Sequence, residues 1–85
     1  MNKEEISNRV RHQIARVLEI RDDEVTPESN VVDHLGADSL DRIDIVMAIE
    51  DEFEIEISDS ECWNIKTVQQ WIDVAAGKVA AKNPA

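Results

Sequence analysis

Near the middle of the chain one hydroxyl stands between two carboxylates, in Asp38-Ser39-Leu40-Asp41, with a histidine, His34, a few residues upstream. Three kinds of chemistry are open to Ser39: a nucleophile with His34 as its base, a helix cap, or an attachment point for a group that side chains cannot supply. The nucleophile reading finds little support. A hydrolase elbow needs glycines at alternate positions around its serine, and Gly36-Ala37-Asp38-Ser39-Leu40 lacks that pattern. The other histidine, His12, belongs to a different predicted helix. An oxyanion hole and a substrate cavity are hard to build from 85 residues carrying this much negative charge. No enzyme is expected.

The cap belongs to the neighbour. Asp38 is a good N-cap and Asp41 falls at the third helical position, so a helix is predicted from Ser39 to about Phe53. Ser39 is then its first residue, with its hydroxyl turned to solvent beside free helix amides and their partial positive charge. That is a favourable place to carry a phosphoester.

The rest of the chain must hold this serine in place. Asn2 caps a first helix, predicted over Lys3 to about Glu19, with Glu5 in the reciprocal capping position and Ile6, Val10, Ile14 and Leu18 along one stripe. From Ile20 to Ala37 there is no clear period, and Val25, Val31, Val32 and Leu35 read as pins of a long ordered loop. Ser58 with Glu61 predicts a short helix around Asp59 to Asn64. Thr67 with Gln70 predicts a last one carrying Val68, Trp71, Ile72 and Ala75 towards Ala81, with Lys78, Lys82 and Pro84 suited to its end. The expected fold is all-α: one domain over residues 1–85, a four-helix bundle of three longer helices and one short one.

Composition agrees. Hydrophobic residues make up 42% and Gly and Pro number two each, which suits a turn-poor helical domain rather than a disordered chain. Net charge is −10, unevenly spread: Met1 to Arg21 holds five bases and three acids, whereas Asp33 to Glu61 sets eleven acids against the single base Arg42. Nucleic acid and anionic membrane are thereby excluded as main partners, and a basic protein surface is expected. The lone Cys62 reads as a small packed side chain with no cation nearby to activate it. No apolar run has the length of a membrane span or the layout of a signal peptide, so a cytoplasmic monomer without membrane insertion is expected.

The second helix has two apolar faces. Leu40, Ile43, Asp44, Met47 and Asp51 share one, and Ile45, Val46, Ile49 and Phe53 share the other. The latter is the expected core face and lining of any internal cavity. The former suits partner docking, with Asp38, Asp41, Asp44 and Asp51 around the apolar anchors, whereas Glu28, Glu54 and Glu56 read as solvated charge. Asp33, Asp38 and Asp41 offer only a loose cation site, so no metal is assigned.

The run Asp33-His34-Leu35-Gly36-Ala37-Asp38-Ser39-Leu40-Asp41, followed by Val46 to Phe53, Glu56-Ile57 and Thr67-Val68-Gln69, closely resembles the freestanding (type II) bacterial acyl carrier proteins of fatty-acid and polyketide synthesis. The resemblance implies 4′-phosphopantetheine on Ser39 between Asp38 and Leu40, installed by a carrier protein synthase (a phosphopantetheinyl transferase), with acyl groups carried as thioesters. Ketosynthases, acyltransferases and other basic-patched enzymes of acyl metabolism are the implied partners. A carrier of polyketide or aminoacyl cargo, or an acidic interaction module without the prosthetic group, are the alternatives. Several residues depart from the family pattern: Arg42 stands where a small uncharged residue is usual, His34 where an acid is common, Ser58 where proline is common, and Trp63 and Trp71 are large for their places. Arg42 has two readings, an outward chain paired with Asp38 or a stem over the cavity entrance that narrows it or favours polar cargo. The tryptophans read as core or rim packing around a reshaped pocket.

Crowded carboxylates repel one another, so screening must stabilise this protein. Its melting temperature is expected to rise with added salt or divalent cation; a flat response would contradict that.

Overall fold

Four helices form where capping residues begin them, and left-handed residues end the first two. The computed structural model describes residues 1–82; Pro84, read above as part of the last helix end, lies outside them. Helix α1 (Lys3–Leu18) starts at Asn2, whose side-chain oxygen accepts the Glu5 amide at 2.8 Å. It stops because Glu19 turns left-handed, with φ 58°. Glu19 is thus the cap rather than the last helical residue. Glu5 does not complete a reciprocal box; its carboxylate faces Arg9 at 4.0 Å, the next turn offering it a charge.

Helix α2 (Ser39–Phe53) starts at the expected serine and ends in a second left-handed residue, Glu54. The short α3 (Asp59–Asn64) begins with the Ser58–Glu61 capping box. Helix α4 (Val68–Lys82) begins where the Thr67 hydroxyl accepts the Gln70 amide at 3.2 Å and Gln70 returns a bond to the Thr67 amide at 3.0 Å. Among the described residues there is no strand, and no helix is long and apolar enough to cross a membrane.

Helix α1 packs on both α2 and α4, and α3 is packed least closely on the other helices. Val10, Ile14, Ile45, Ile49, Val68, Trp71, Ile72 and Ala75 meet at the centre and are almost wholly buried. Gln13 is the buried polar residue among them, donating to Glu52 at 3.0 Å and accepting from Arg16 at 2.8 Å, and among the described residues no buried side-chain polar atom is stranded.

The long loop between α1 and α2 is ordered by the same logic. Val25 and Val31 are buried, while Val32, also read as a pin, is exposed. Arg11 reaches from α1 to the Val25 carbonyl at 2.8 Å, and a 3-10 turn over Asp22–Glu24, unmarked by any apolar period, lies beneath His12, which meets Asp22 at 3.0 Å. Backbone bonds tie the loop to the start of α4: Val31 N–H to Lys66 O, Val68 N–H to Ser29 O and Gln69 N–H to Pro27 O, each at 2.9 Å.

Two substitutions separate core from surface. Ile49→Ala removes a fully buried side chain and is expected to cost about 2–5 kcal/mol, against within about 0.5 kcal/mol for exposed Leu40→Ala, both read by urea unfolding. Helix α3 has an electrostatic tie as well. Lys78 donates to Glu61 at 2.9 Å, and that bond, with those from Ser58, holds the Glu61 carboxyl below its ordinary 4.5. A pKa lowered by folding contributes stability that is complete above the ordinary value and lost as pH falls through the lowered one. Lys78→Met is therefore expected to lower the melting temperature at neutral pH, with the gap to wild type closing below pH 4.5; a gap unchanged in acid would show that Lys78 acts through packing instead.

Candidate functional site

The chain is delivered to Ser39 by a closed turn. Ala37 is buried and its amide bonds the Val31 carbonyl at 3.0 Å, while Gly36 bonds Val32 at 3.1 Å with φ +76°. That conformation is what glycine supplies at low cost; a Cβ there would meet no atom within 4 Å, so only the backbone angle disfavours another residue. Asp38 follows in an extended conformation. Its carboxylate accepts the Asp41 amide at 2.8 Å, and its own amide donates to the Asp41 carboxylate at 3.2 Å. Both acids beside the serine are engaged in starting the helix.

Ser39 is exposed, and among the described residues no hydrogen bond engages its hydroxyl. His34 is exposed too, and its Nδ1 accepts the Asn30 amide at 2.8 Å. A base committed to a backbone amide is not poised to take a proton from Ser39.

Ser39 stands at one edge of a cleft of about 400 Å³ between α2 and α3. Arg42, Ile43, Val46, Met47 and Glu50 line it from α2, and Ile57, Asp59, Cys62 and Trp63 from the other side. Of the residues expected at a cavity, Arg42 and Val46 are here. Ile45, Ile49 and Phe53 do not line the cleft: they are buried in the core cluster. One helix stripe splits in this way because α1 and α4 fill the space behind it, leaving only its edge beside the thin α3.

Arg42 does not pair with Asp38. The Asp38 carboxylate is held by its cap, and Arg42 turns the other way, donating to the Cys62 carbonyl at 3.2 Å with its guanidinium 4.8 Å from the centre of the Trp63 ring. This also corrects the reading of Cys62 as remote from any cation. Burial nevertheless pushes its thiol above the ordinary value, with Arg42 opposing. The two tryptophans part company: Trp71 is core, and Trp63 lies at the cleft rim, 61% exposed.

Sequence reasoning missed Glu50 and Ile57 as cleft walls. Glu50 accepts the Ile57 amide at 2.9 Å and pins that residue against α2. The alternation Glu54-Ile55-Glu56-Ile57, with both isoleucines buried, was the available signal.

On the outer face of α2, Leu40, Ile43 and Met47 are 71%, 52% and 56% exposed, with Asp44 and Asp51 exposed beside them. Asp41 is half-buried in the cap. Among the described residues no three acids, histidines or cysteines come together as a metal-holding group, Asp33, Asp38 and Asp41 included.

Comparison with known proteins accounts for these features together. The family model for the phosphopantetheine attachment site matches residues 8–75. Among solved structures, the chain is similar to a "putative acyl carrier protein" from Mycobacterium tuberculosis, at 33% identity and a TM-score of 0.75, over 92% of this chain and 99% of that one. With most of its length matched by the family, and a third of it identical to a structure of the same fold, the chain belongs to the phosphopantetheine-attachment family of acyl carrier proteins, whose expected prosthetic group is 4′-phosphopantetheine.

Proposed function

We propose that Ser39 is the attachment residue, and that the protein carries acyl groups as thioesters to enzymes of fatty-acid or related lipid and polyketide synthesis in the cytoplasm. The observation that carries this reading is the exposed, unengaged hydroxyl at the first position of α2, on the rim of a largely apolar cleft. The residues present fit such a group. A phosphoester on Ser39 would lie in solvent beside the free amides of the helix start, and an acyl chain returning from the arm would meet Val46, Ile57 and Met47. The prosthetic group, when bound, supplies the thiol on which the acyl group rides.

The protein's own contribution is then positioning and recognition. Asp38 and Asp41 fix where the helix begins and so where the hydroxyl points. Leu40, Ile43 and Met47 offer apolar anchors, and Asp44 and Asp51 the charge that steers basic partners such as a phosphopantetheinyl transferase, ketosynthases and acyltransferases. Catalysis belongs to those partners. The lone Cys62, with its raised pKa, does not compete as a second acyl acceptor.

Intact mass after incubation with coenzyme A and a broad-specificity phosphopantetheinyl transferase tests this. One added phosphopantetheine is expected on wild type and none on Ser39→Ala. No gain by demonstrably unmodified wild type would leave an acidic docking module instead.

A further inference from the structure

The contacts of Arg42 do not match its charge. Among the described residues its guanidinium donates to one backbone carbonyl, that of Cys62, stacks on one aromatic ring, that of Trp63, and has no carboxylate within ion-pair distance. Most of its planar fork of N–H donors is unspent. Arg42 follows Ser39 by three positions in α2, a spacing at which side chains are neighbours on a helix surface, and both line the cleft towards α3. We infer that Arg42 holds the phosphate at the root of the arm on Ser39: once the phosphoester is in place, the guanidinium leaves the Trp63 ring and pairs with it. The inference rests on the carrier reading above.

The charges around Ser39 favour such a hold. A phosphodiester there brings one more anion beside Asp38 and Asp41, whose carboxylates flank the serine in the cap, in a chain of net charge −10. The free amides of the helix start offset part of that repulsion. Glu50 and Asp59 also line the cleft, and Arg42 is the one cation in its wall. Lys66 stands apart, in a neighbouring hollow of about 210 Å³ that Arg42 and Trp63 border and Ser39 does not.

The exchange of partners also goes downhill. Arginine bonds to phosphate are charge-assisted and can be bidentate, which makes them stronger than a bond to a neutral carbonyl. Stacking of a cation on an exposed ring is weak by comparison, and Trp63 is mostly in solvent. Arg42 is half-buried and Trp63 is at the rim, so the move leaves the core as it is. Before modification Arg42 bridges α2 to α3; afterwards it keeps the root of the arm at the cleft mouth. Leu40, Asp44 and Asp51 on the outer strip then stay clear for partners.

The test compares the full chain before and after modification with coenzyme A and a broad-specificity phosphopantetheinyl transferase, with loading checked by intact mass. In wild type the modified form should melt above the unmodified one at low salt, by an amount that shrinks as salt is added. Arg42→Gln should lose that rise, a difference from wild type of about 4–8 °C. Each variant is its own reference, so any cost of the substitution to the fold cancels. Trp63→Ala frees the guanidinium from the ring beforehand and should enlarge the rise, whereas Lys66→Gln removes a charge from the neighbouring hollow and should leave it unchanged. The phosphorus NMR resonance of the phosphodiester should move with Arg42→Gln and stay put with Lys66→Gln. An equal rise in wild type and Arg42→Gln, or a phosphorus resonance that ignores Arg42, overturns the hold and leaves the carrier reading intact. So does a loss in Trp63→Ala as large as in Arg42→Gln, which would make the pair a structural bridge only. Failure of wild type to take up any phosphopantetheine overturns both.

Discussion

The reciprocal bonds between Asp38 and Asp41 decide more of this molecule than any contact in its core. They place the start of α2 at Ser39 and nowhere else, because an N-cap fixes both the first helical residue and the rotation of every residue after it. A start one residue later would turn each α2 side chain by about 100° about the axis, since a helix has 3.6 residues per turn. Leu40, Ile43 and Met47 would leave the open face and Ile45 and Ile49 would leave the core. The position of one hydroxyl, the outer apolar strip and the buried seam are therefore set together.

That seam leaves α2 with apolar side chains on most of its circumference, and the bundle resolves this unevenly. Helices α1 and α4 bury Ile45, Ile49 and Phe53 completely enough to hold the fold. On the flank towards α3 the cover is thin. A six-residue helix cannot bury much, and it is fixed by polar ties at its ends: the Ser58 box with Lys78 at one and the Arg42 bond to Cys62 at the other. Weak cover over apolar side chains is the local condition for a cleft that can change volume, since opening there costs little of the stability stored between α1, α2 and α4.

What the sequence discloses and what it hides follow from distance along the chain. Helix starts at Lys3, Ser39, Asp59 and Val68 were legible because an N-cap and its partner lie three residues apart and the bond is local. The two faces of α2 were legible because its spacing is periodic. Arg42 was not, since its partners lie twenty or more residues away on α3 and nothing near it in sequence announces them; the neighbouring Asp38 was the natural guess and was already bonded. Trp63 and Trp71 look alike in sequence, and only the helix each belongs to sends one to the rim and the other to the core. The cavity lining was misjudged for a related reason. Periodicity identifies the apolar side of a helix but not which part of it neighbouring helices will fill, so Ile45, Ile49 and Phe53 went to the core and Ile57, from a loop, took a place at the cleft.

The charge distribution fits a protein that must be met often and released quickly. An exposed strip of three apolar side chains is far too small for a permanent interface, which buries on the order of 800 Å² per partner. Carboxylates around such a strip raise the rate of encounter without adding much to the lifetime of the complex. Arg42, the single base between Asp33 and Glu61, would weaken that field if it faced outward with Asp44 and Asp51. Turned towards α3 it does not. The α2 surface is thereby divided: its outer strip presents negative charge to whatever approaches, and its flank keeps the one positive charge for the cleft beside Ser39. The division is not complete, because Ile43 and Met47 are exposed on the outer strip and also line the cleft, whereas Leu40, Asp44 and Asp51 belong to the strip alone and Arg42 to the cleft alone.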